Sequence, residues 1–372
     1  MSNIVLEKTH PLVSRSNNTI IEEKIVSFHS EDRDIKSWPN SNQFAIDLPE
    51  EISEIQSMNV ISGAFPKNLY VFSRSYQNTK LNFSVDFNGD IQTYTAEISE
   101  GRYNPEDLAR EIENKMNLEV IKGNNGVVNI NTYDNFKCKY NDVTNTLWFG
   151  NNGNFHGNDT GKFSLNFDIK LEYTDCKNKI VWNQSTKWGL PWYLGYEKKK
   201  YVSLETPENL YLSVTPAKGD SYGFSHELEE PTNGASNGYW LQSTTTKNWF
   251  VDISESPCKL NIDGEMFIYM EVDKYNKIDE IEPYSDNTKA LYNNDYNGKV
   301  NSAFAKLPIF YDNHINLIGG RSEQLVNGAL FKSPIKRLKK IKFKFRYHDG
   351  RLVDFKCQPI TFSIQFNVIQ HI

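Results

Sequence analysis

The chain has 372 residues, with 41 Lys and Arg against 47 Asp and Glu, and a formal net charge of −6 at pH 7. Because a general nucleic-acid-binding protein presents a basic surface, this balance argues against that class. No window approaches the ~18 consecutive apolar residues of a membrane-spanning helix, and no apolar signal-peptide core follows Met1, so we expect a soluble, intracellular protein without a membrane span.

The composition and the patterning both favour β-structure. The chain contains 22 Phe and 20 Tyr, and aromatic and β-branched residues suit the pleated, half-buried surface of a β-sheet. Short alternating segments are separated by turns rich in Gly, Asn and Pro. This pattern predicts an all-β fold with antiparallel jelly-roll β-sandwich architecture.

Changes in composition divide the chain into four segments. Residues 1–23 are polar and predict an extended N-terminal arm, which is disordered in a lone domain or lies across a neighbour in an assembly. Residues 24–215 predict a first β-sandwich with an inserted helix, and residues 247–372 predict a second. Residues 216–246 are rich in Gly, Ser, Thr and Asn, as in a long loop or linker. Two tandem sandwiches are favoured, and one sandwich with an inserted helical subdomain is the alternative.

A β-hairpin is predicted around Asn88-Gly89, where apolar and polar residues alternate on both sides of the dipeptide. Asn-Gly tolerates the two positive φ angles of a two-residue type I′ turn. Such a turn places Phe83 opposite Tyr94 and Lys80 opposite Glu97.

One amphipathic helix is predicted at about 105–117. Asn104 is a suitable N-cap, and a proline occupies the first helical position after it. Leu108, Ile112 and Met116 recur every four residues, which gives one apolar stripe on an otherwise charged helix. We therefore expect the helix to pack on a sheet by one face.

Three tryptophans, Trp182, Trp188 and Trp192, form an aromatic cluster in the middle of the chain. Such a cluster can be a stacking platform for sugars or bases, or a plug that closes one end of a β-sandwich. Because basic residues are not regularly interleaved with it, the packing role is favoured. A ligand platform is the alternative.

The segment 338–368 predicts a closing antiparallel meander of three strands, since apolar and polar residues alternate through it with a period of two. A three-residue loop at 348–350 keeps the two faces separate, because it places Phe345 opposite Val353. That loop requires Gly350 in the left-handed conformation.

The polar face of the first meander strand is a cationic row, Lys340, Lys342, Lys344 and Arg346. The row is either a charged strand face that discourages edge-to-edge pairing or a surface that binds an acidic partner. Four like charges in a row repel one another unless an acidic group lies nearby. The row is the candidate partner-binding site.

No catalytic or metal-binding motif is visible. The seven histidines show no ligand spacing, and Walker A, GxGxxG, GxSxG and kinase signatures are absent from the sequence. No CxxC pair is present either, so we expect reduced thiols in the core: Cys138, Cys176, Cys258 and Cys357. We expect no enzyme activity, no cofactor and no bound metal.

Six short sequence segments, taken in chain order, resemble segments of the minor capsid proteins of nucleocytoplasmic large DNA viruses. They lie at 30–34, 44–49, 64–70, 98–103, 194–196 and 347–355. Each segment is short, and their order carries more weight than any one of them. Neither the loop at 216–246 nor the tryptophan cluster belongs to the pattern.

The resemblance implies jelly-roll sandwiches in an icosahedral shell, beneath or between the major capsomers or at the vertices. It implies a minor capsid protein, made in the host cytoplasm and located in the virion, that binds and cements neighbouring subunits. The implied partners are the major capsid protein and other minor capsid proteins, with self-association as a further expectation and no specific nucleic acid. A carbohydrate-binding β-sandwich that uses Trp182, Trp188 and Trp192 is the alternative function.

Overall fold

The computed structural model of the protein describes most of the chain in ranges separated by gaps. The ranges are 19–66, 69–123, 133–142, 144–152, 154–155, 158–159, 161–174, 180–205, 224–225, 230–231, 249–251, 258–281, 300–309 and 328–371.

Strands dominate the described residues, and the strand pairs are antiparallel, which confirms the all-β fold. In chain order the strands are β1 Thr19–His29, β2 Gln43–Ala64, β3 Lys80–Phe87, β4 Asp90–Glu97, β5 Phe136–Asn141, β6 Thr146–Asn151, β7 Asn154–Phe155, β8 Asn158–Asp159, β9 Phe163–Asn166, β10 Lys200–Val202, β11 Leu204–Glu205, β12 Phe224–Ser225, β13 Glu230–Pro231, β14 Trp249–Phe250, β15 Phe267–Val272, β16 Ile278–Ile281, β17 Val300–Ala303, β18 Ala305–Pro308, β19 Gly328–Arg346 and β20 Thr361–His371. The α-helices are α1 Pro105–Gly123 and α2 Leu190–Tyr193, and short 3-10 turns lie at Ser30–Asp32, Arg74–Tyr76 and Val181–Asn183.

The chain divides into two compact units. Unit 1 contains the described residues of Met1–Leu69, Glu265–Pro283 and Asn294–Ile372, and unit 2 those of Tyr70–Gly264. This division differs from the tandem arrangement expected at 24–215 and 247–372. The reason is strand pairing across the whole chain, because β1 and β2 share a sheet with β19 and β20.

Unit 1 is built on a six-stranded sheet in the order β1-β20-β2-β19-β15-β18. One face of this sheet is an aromatic core. The ring of Phe343 lies 5.0 Å from that of Phe28 and 4.8 Å from that of Phe362, measured between centroids. Phe44 and Phe345 extend the same layer, and both are fully buried. The period-two pattern of apolar residues therefore forms the buried face, as the sequence indicates.

The structure confirms the turn of the predicted meander but not its strand order. The turn is confirmed, since Gly350 has φ +84° and the Val353 amide donates to the Phe345 carbonyl over 3.1 Å. The expected middle strand is wrong, because its pairing with β19 ends at one bridge between Arg346 and Leu352. β19 and β20 are not neighbours either. β2 lies between them and supplies the backbone partners that the meander would have supplied.

The last five residues of the predicted N-terminal arm belong to a strand. Residues 19–23 belong to β1, where Thr19 lies opposite His371 and Glu23 opposite Asn367. Residues 1–18 lie outside the described residues. Of the predicted loop at 216–246, only the two-stranded ribbon of β12 and β13 is described.

Unit 2 contains two four-stranded sheets, β10-β9-β3-β4 and β11-β14-β6-β5. The hairpin of β3 and β4 has the predicted register, with Lys80 opposite Glu97 and Phe83 opposite Tyr94. Its turn has φ of 56° at Asn88 and 93° at Gly89, as a type I′ turn requires. The prediction for this hairpin is confirmed.

The predicted helix is confirmed and extends further than the sequence prediction. The Asp107 amide donates to the Asn104 side-chain oxygen over 2.7 Å, which is the expected N-cap. The stripe of Leu108, Ile112 and Met116 is buried against β4 and β5. The helix continues to Gly123 because Val120, one further turn along the same stripe, is also fully buried.

Asn117 joins α1 to β5 through both atoms of its side-chain amide. Its Nδ2 donates to the Phe136 carbonyl over 3.1 Å, and its Oδ1 accepts from the Phe136 amide over 3.0 Å. All of these groups are buried. Buried backbone groups that lose their partners cost the full desolvation penalty of each group.

We predict that Asn117→Leu lowers the free energy of unfolding by about 2–4 kcal/mol, because it leaves two buried backbone groups of Phe136 unsatisfied. The measurement is a urea titration followed by circular dichroism. The control is Asn114→Leu on the exposed side of α1, which should change the free energy by less than about 0.5 kcal/mol. Equal losses for the two variants would contradict the bridging role of Asn117.

Candidate functional site

The cationic row of β19 lies on the face of the unit 1 sheet opposite the aromatic core. Lys344 is directly across from Glu271 of β15, and its Nζ is 3.1 Å from a Glu271 carboxylate oxygen. The Nε of Arg346 donates to the same carboxylate. One acidic side chain from a strand about 75 residues away therefore contacts both cations at the end of the row, and the three side chains together keep a charge of +1.

Arg346 is not exposed as the alternation predicts, since only 1% of its surface is accessible. Its guanidinium lies 5.2 Å from the ring centroid of Tyr269, and its Nη1 donates to the Tyr347 carbonyl over 3.2 Å. A guanidinium can be buried when a carboxylate, a carbonyl and an aromatic face surround it. Arg346 thus acts as a structural residue of the sheet.

The other two cations of the row remain accessible to different extents. Lys340 is exposed and its Nζ lies 3.5 Å from the Asp47 carboxylate of β2. Lys342 is half-buried, and its Nζ lies 5.1 Å from the ring centroid of Trp38. The row therefore avoids self-repulsion through partners inside the chain. Lys340 and Lys342 are the members best placed to meet another molecule.

Further from the lysines, the same sheet face continues across β20 and the second half of β2 with amide and hydroxyl side chains. The side chain of Gln365 donates to Asn367 over 3.1 Å, and Asn367 donates to Ser57 over 2.8 Å. Thr361 Oγ1 and His29 Nδ1 lie 3.0 Å apart. These side chains are half-buried or exposed. The face thus presents a ladder of amides and hydroxyls in addition to the lysines.

The three tryptophans do not form a common platform. Trp188 is 4% exposed, and the ring of Trp182 meets it edge-on with centroids 5.1 Å apart and planes at 87°. Trp192 instead packs edge-on against Tyr193 at 5.0 Å. Lys198 Nζ lies within 5.4 Å of the Trp182 and Trp188 centroids. This geometry favours the packing role over the ligand platform.

Lys198 is a basic residue of the tryptophan cluster that the sequence analysis missed. Its ammonium also donates to the carbonyls of Trp182 and Gln184, over 2.5 Å and 2.7 Å. It follows Trp182 by 16 positions, so no local spacing could reveal the contact.

A groove beside α1 and β5 in unit 2 carries charges of both signs. Its lining includes Glu106, Arg110, Glu113 and Lys139. Glu113 accepts from the Cys138 amide over 2.9 Å and lies 3.5 Å from Lys137 Nζ, so it supports the strand beneath the helix. We assign the groove a structural role.

The cysteines differ from the expectation of four core thiols. Cys138 is buried, and burial raises the pKa of its thiol, which keeps it in the unreactive protonated form. Cys258 and Cys357 are exposed thiols, so the expectation is wrong for them. Cys357 lies in a turn and Cys258 at a bend, so neither lies in a strand whose alternation would bury it. Cys176 lies outside the described residues.

Among the described residues, no group of three or more His, Cys, Asp or Glu side chains is placed to hold a metal ion. In the same part of the chain, no helix has both the length and the apolar character required to cross a membrane.

Comparisons with known proteins find similarities of fold, two of which are described here, and none of sequence. No protein-family model matches the chain, and no curated protein matches it. The mavirus penton protein is 9% identical with a TM-score of 0.43, over 94% of this chain and 99% of that one. A chain of the Sputnik virophage structure is 11% identical with a TM-score of 0.37, over 94% and 98%. At these scores the two similarities carry no argument about function.

We predict that Glu271→Gln lowers the free energy of unfolding by about 3–5 kcal/mol, because it leaves the buried Arg346 without a counter-charge. Chemical denaturation measures the change. The matched control is Asp47→Asn, which removes an acid from the exposed Lys340 and should cost about 0–1 kcal/mol. If both variants unfolded at the same denaturant concentration, Glu271 would not be the neutralising group.

We predict that the tryptophan cluster binds no glycan. Because Trp188 is buried and Trp182 is fixed against it, titration with a panel of glycans should leave the intrinsic tryptophan fluorescence unchanged. Trp182→Phe should behave like the wild type in the same titration. A saturable change that Trp182→Phe abolishes would restore the glycan platform.

Proposed function

We propose that this chain is a structural protein of a viral shell, a minor capsid component that binds and cements neighbouring capsid subunits. The observation that carries the proposal is the outer face of the unit 1 sheet. It is a broad polar surface with two accessible lysines, and β1, an edge strand among the described residues, borders it. Such a surface suits association through many polar contacts with a few apolar anchors.

The resemblance to minor capsid proteins supports the same function, because two of its sequence segments lie at turns that specific side chains or a glycine determine. In 30–34, Arg33 donates to the carbonyls of Ser30 and Trp38, over 2.5 Å and 2.9 Å. In 194–196, Gly195 has φ +89°, and a Cβ there would lie 2.3 Å from the Cys258 carbonyl oxygen. These residues determine turns in both units. Two of the segments that carry the resemblance therefore contain residues that determine turns of the fold.

The partners follow from the charges that the sheet leaves accessible. Lys340 and Lys342 are directed away from the core, and the amide and hydroxyl ladder lies on the same sheet face. We propose that this surface contacts an acidic, hydrogen-bonding surface of the major capsid protein or of another minor capsid protein, and that copies of the chain associate with one another. The chain acts by binding and performs no catalysis.

We predict that the double variant Lys340→Glu and Lys342→Glu lowers the amount of this protein in purified virions at least ten-fold, because like charges then face the acidic partner. Quantitative mass spectrometry of particles, with lysine cross-linking, gives the amount and the contacts. The control reverses two exposed lysines at the other end of β19, Lys332→Glu and Lys336→Glu, and should be incorporated normally.

Two results would contradict the proposal. Absence of the wild-type protein from purified particles would remove the structural role. Equal incorporation of the double variant and its control would show that Lys340 and Lys342 do not form the binding surface.

A further inference from the structure

β1 is an edge strand that exposes three isoleucines. It runs for 11 residues and, in the part of the chain that the structure describes, its one neighbour in the sheet is β20. Ile20, Ile21 and Ile25 are 53%, 56% and 59% exposed. A long edge strand with accessible apolar side chains is a template for a further strand.

The hydrogen bonds to β20 show which backbone groups of β1 point to the outer edge. The register of β1 and β20 continues to Ser30, whose amide donates to the Ile360 carbonyl over 2.9 Å. Because the amide and carbonyl groups of successive residues alternate in direction along a strand, those of the even-numbered residues point toward β20. The groups of Ile21, Glu23 and Ile25 therefore point outward. A further antiparallel strand would form its hydrogen bonds with these odd-numbered residues.

The side chains of β1 alternate between the two faces of the sheet. Phe28 is buried and Val26 is half-buried, so the even-numbered residues lie on the core side. Ile21, Glu23 and Ile25 lie on the polar side. Directly opposed residues of two antiparallel strands share a face. A partner of β1 must therefore place apolar residues opposite the isoleucines and opposite charges beside them on the correct faces.

We propose that β1 pairs with β1 of a second copy of this chain across a two-fold axis at Glu23, so that the two unit 1 sheets become continuous. In this register Ile21 of each copy lies opposite Ile25 of the other, and Glu22 lies opposite Lys24. The inference deepens the proposed function and rests on its self-association alone, since it needs neither a viral shell nor an acidic capsid partner.

Symmetry and charge complementarity select this register. A two-fold axis perpendicular to the sheet keeps each face on its own side, so opposed residues are both odd or both even. With the axis at Glu22, Ile21 would face Glu23, and with the axis at Lys24, Glu23 would face Ile25. The axis at Glu23 sets two carboxylates opposite each other, which is unfavourable. It alone also forms two Glu22–Lys24 pairs and two Ile21–Ile25 pairs.

The isoleucines supply most of the favourable contact. Each Ile21–Ile25 pair would cover two side chains that are more than half exposed in the single chain. On the core side, Ile20 of each copy would lie opposite Val26 of the other. Removal of apolar surface from water is the dominant favourable term in most protein association, whereas exposed ion pairs contribute little. We therefore expect the isoleucines to determine the affinity and the charges to determine the register.

Sedimentation of the purified full-length protein tests the self-association. The wild type should form a concentration-dependent dimer. Ile25→Asp should weaken the dimer at least ten-fold, because a carboxylate then faces Ile21 of the other copy. The matched control is Ile91→Asp in unit 2, where the isoleucine is 64% exposed, and it should dimerise like the wild type.

A wild type that remains monomeric at its highest soluble concentration would overturn the proposal, and so would equal dimerisation of the two isoleucine variants. Because the protein is measured alone, these results are independent of its incorporation into virions. Either proposal can therefore fail while the other holds.

Disulfide trapping tests the position of the two-fold axis. The background keeps the buried Cys138 and replaces the other three cysteines by serine. Glu23→Cys places a thiol at the axis, where the Cα atoms of the two copies would be about 5.5 Å apart, as a disulfide requires. In the control, Ser27→Cys, each thiol lies opposite Thr19 of the other copy, so the two thiols would be about 27 Å apart along the strands.

Mild oxidation should convert Glu23→Cys to covalent dimers at least ten-fold more than Ser27→Cys, as measured by non-reducing electrophoresis. Both positions are exposed in the single chain, so random collision would link them equally. Equal linkage of the two variants would exclude an axis at Glu23.

A mixing experiment in the Glu23→Cys background tests the charge pairs. Glu22→Lys alone sets lysine against lysine, and Lys24→Glu alone sets glutamate against glutamate, so each should cross-link several-fold less than the parent. An equal mixture of the two should restore the cross-linked fraction, because each residue 22 then faces an opposite charge at residue 24. Loss of the ion pair between Lys24 and Glu50 of the same chain cannot produce this restoration. A mixture that links no better than the separate variants would rule out the proposed register.

Discussion

The fold of unit 1 depends on the insertion of β2 between β19 and β20. Through this insertion, backbone hydrogen bonds join the first strands of the chain to its last strands, as when Ile46 lies opposite Ile341 and Val60 opposite Ile364. Neither end of the chain can complete the sheet alone, because the inner edges of β19 and β20 both require β2. Folding must therefore wait for contacts of very long sequence separation, which are costly in loop entropy and slow to form.

The same insertion determines the electrostatics of the sheet. β19 carries a row of basic residues, and the two strands beside it bring acids to that row, Asp47 from β2 and Glu271 from β15. The acid at the end of the row permits Arg346 to be buried, where its guanidinium lies over Tyr269. The row thus has an acidic partner at each end, and it is buried at the Arg346 end and exposed at the Lys340 end. This asymmetry is what directs the proposed contact to Lys340 and Lys342.

One face of the unit 1 sheet stabilises the fold, and the other face carries the proposed binding surface. The aromatic layer around Phe343 uses the apolar residues of the alternating pattern, which leaves hydroxyls, amides and lysines on the other face. Such a face is well suited to reversible, polar association with other proteins. The edge strand β1 adds exposed isoleucines at the border of the sheet.

The sequence predicted well wherever the decisive interactions were local. The turn at Asn88-Gly89, the N-cap at Asn104 and the left-handed Gly350 all depend on residues within a few positions, and the structure confirms each one. Predictions differed from the structure where an interaction joins distant strands. The closing meander and the division into tandem sandwiches both differ because β2, from the start of the chain, pairs between β19 and β20. The alternation predicts an exposed Arg346, because no local pattern in the sequence reveals its partner Glu271.

By itself, the sequence therefore determined the strand periodicity, the capped helix, the tight turns and the all-β class, because these arise from side-chain alternation and backbone preferences of neighbouring residues. The tertiary structure alone decided which strands pair, which charges meet a partner and which of the described strands lie at the edges of the sheet. Those outcomes depend on hydrogen bonds and ion pairs between residues far apart in the chain. Their partners are selected only when the whole sheet assembles.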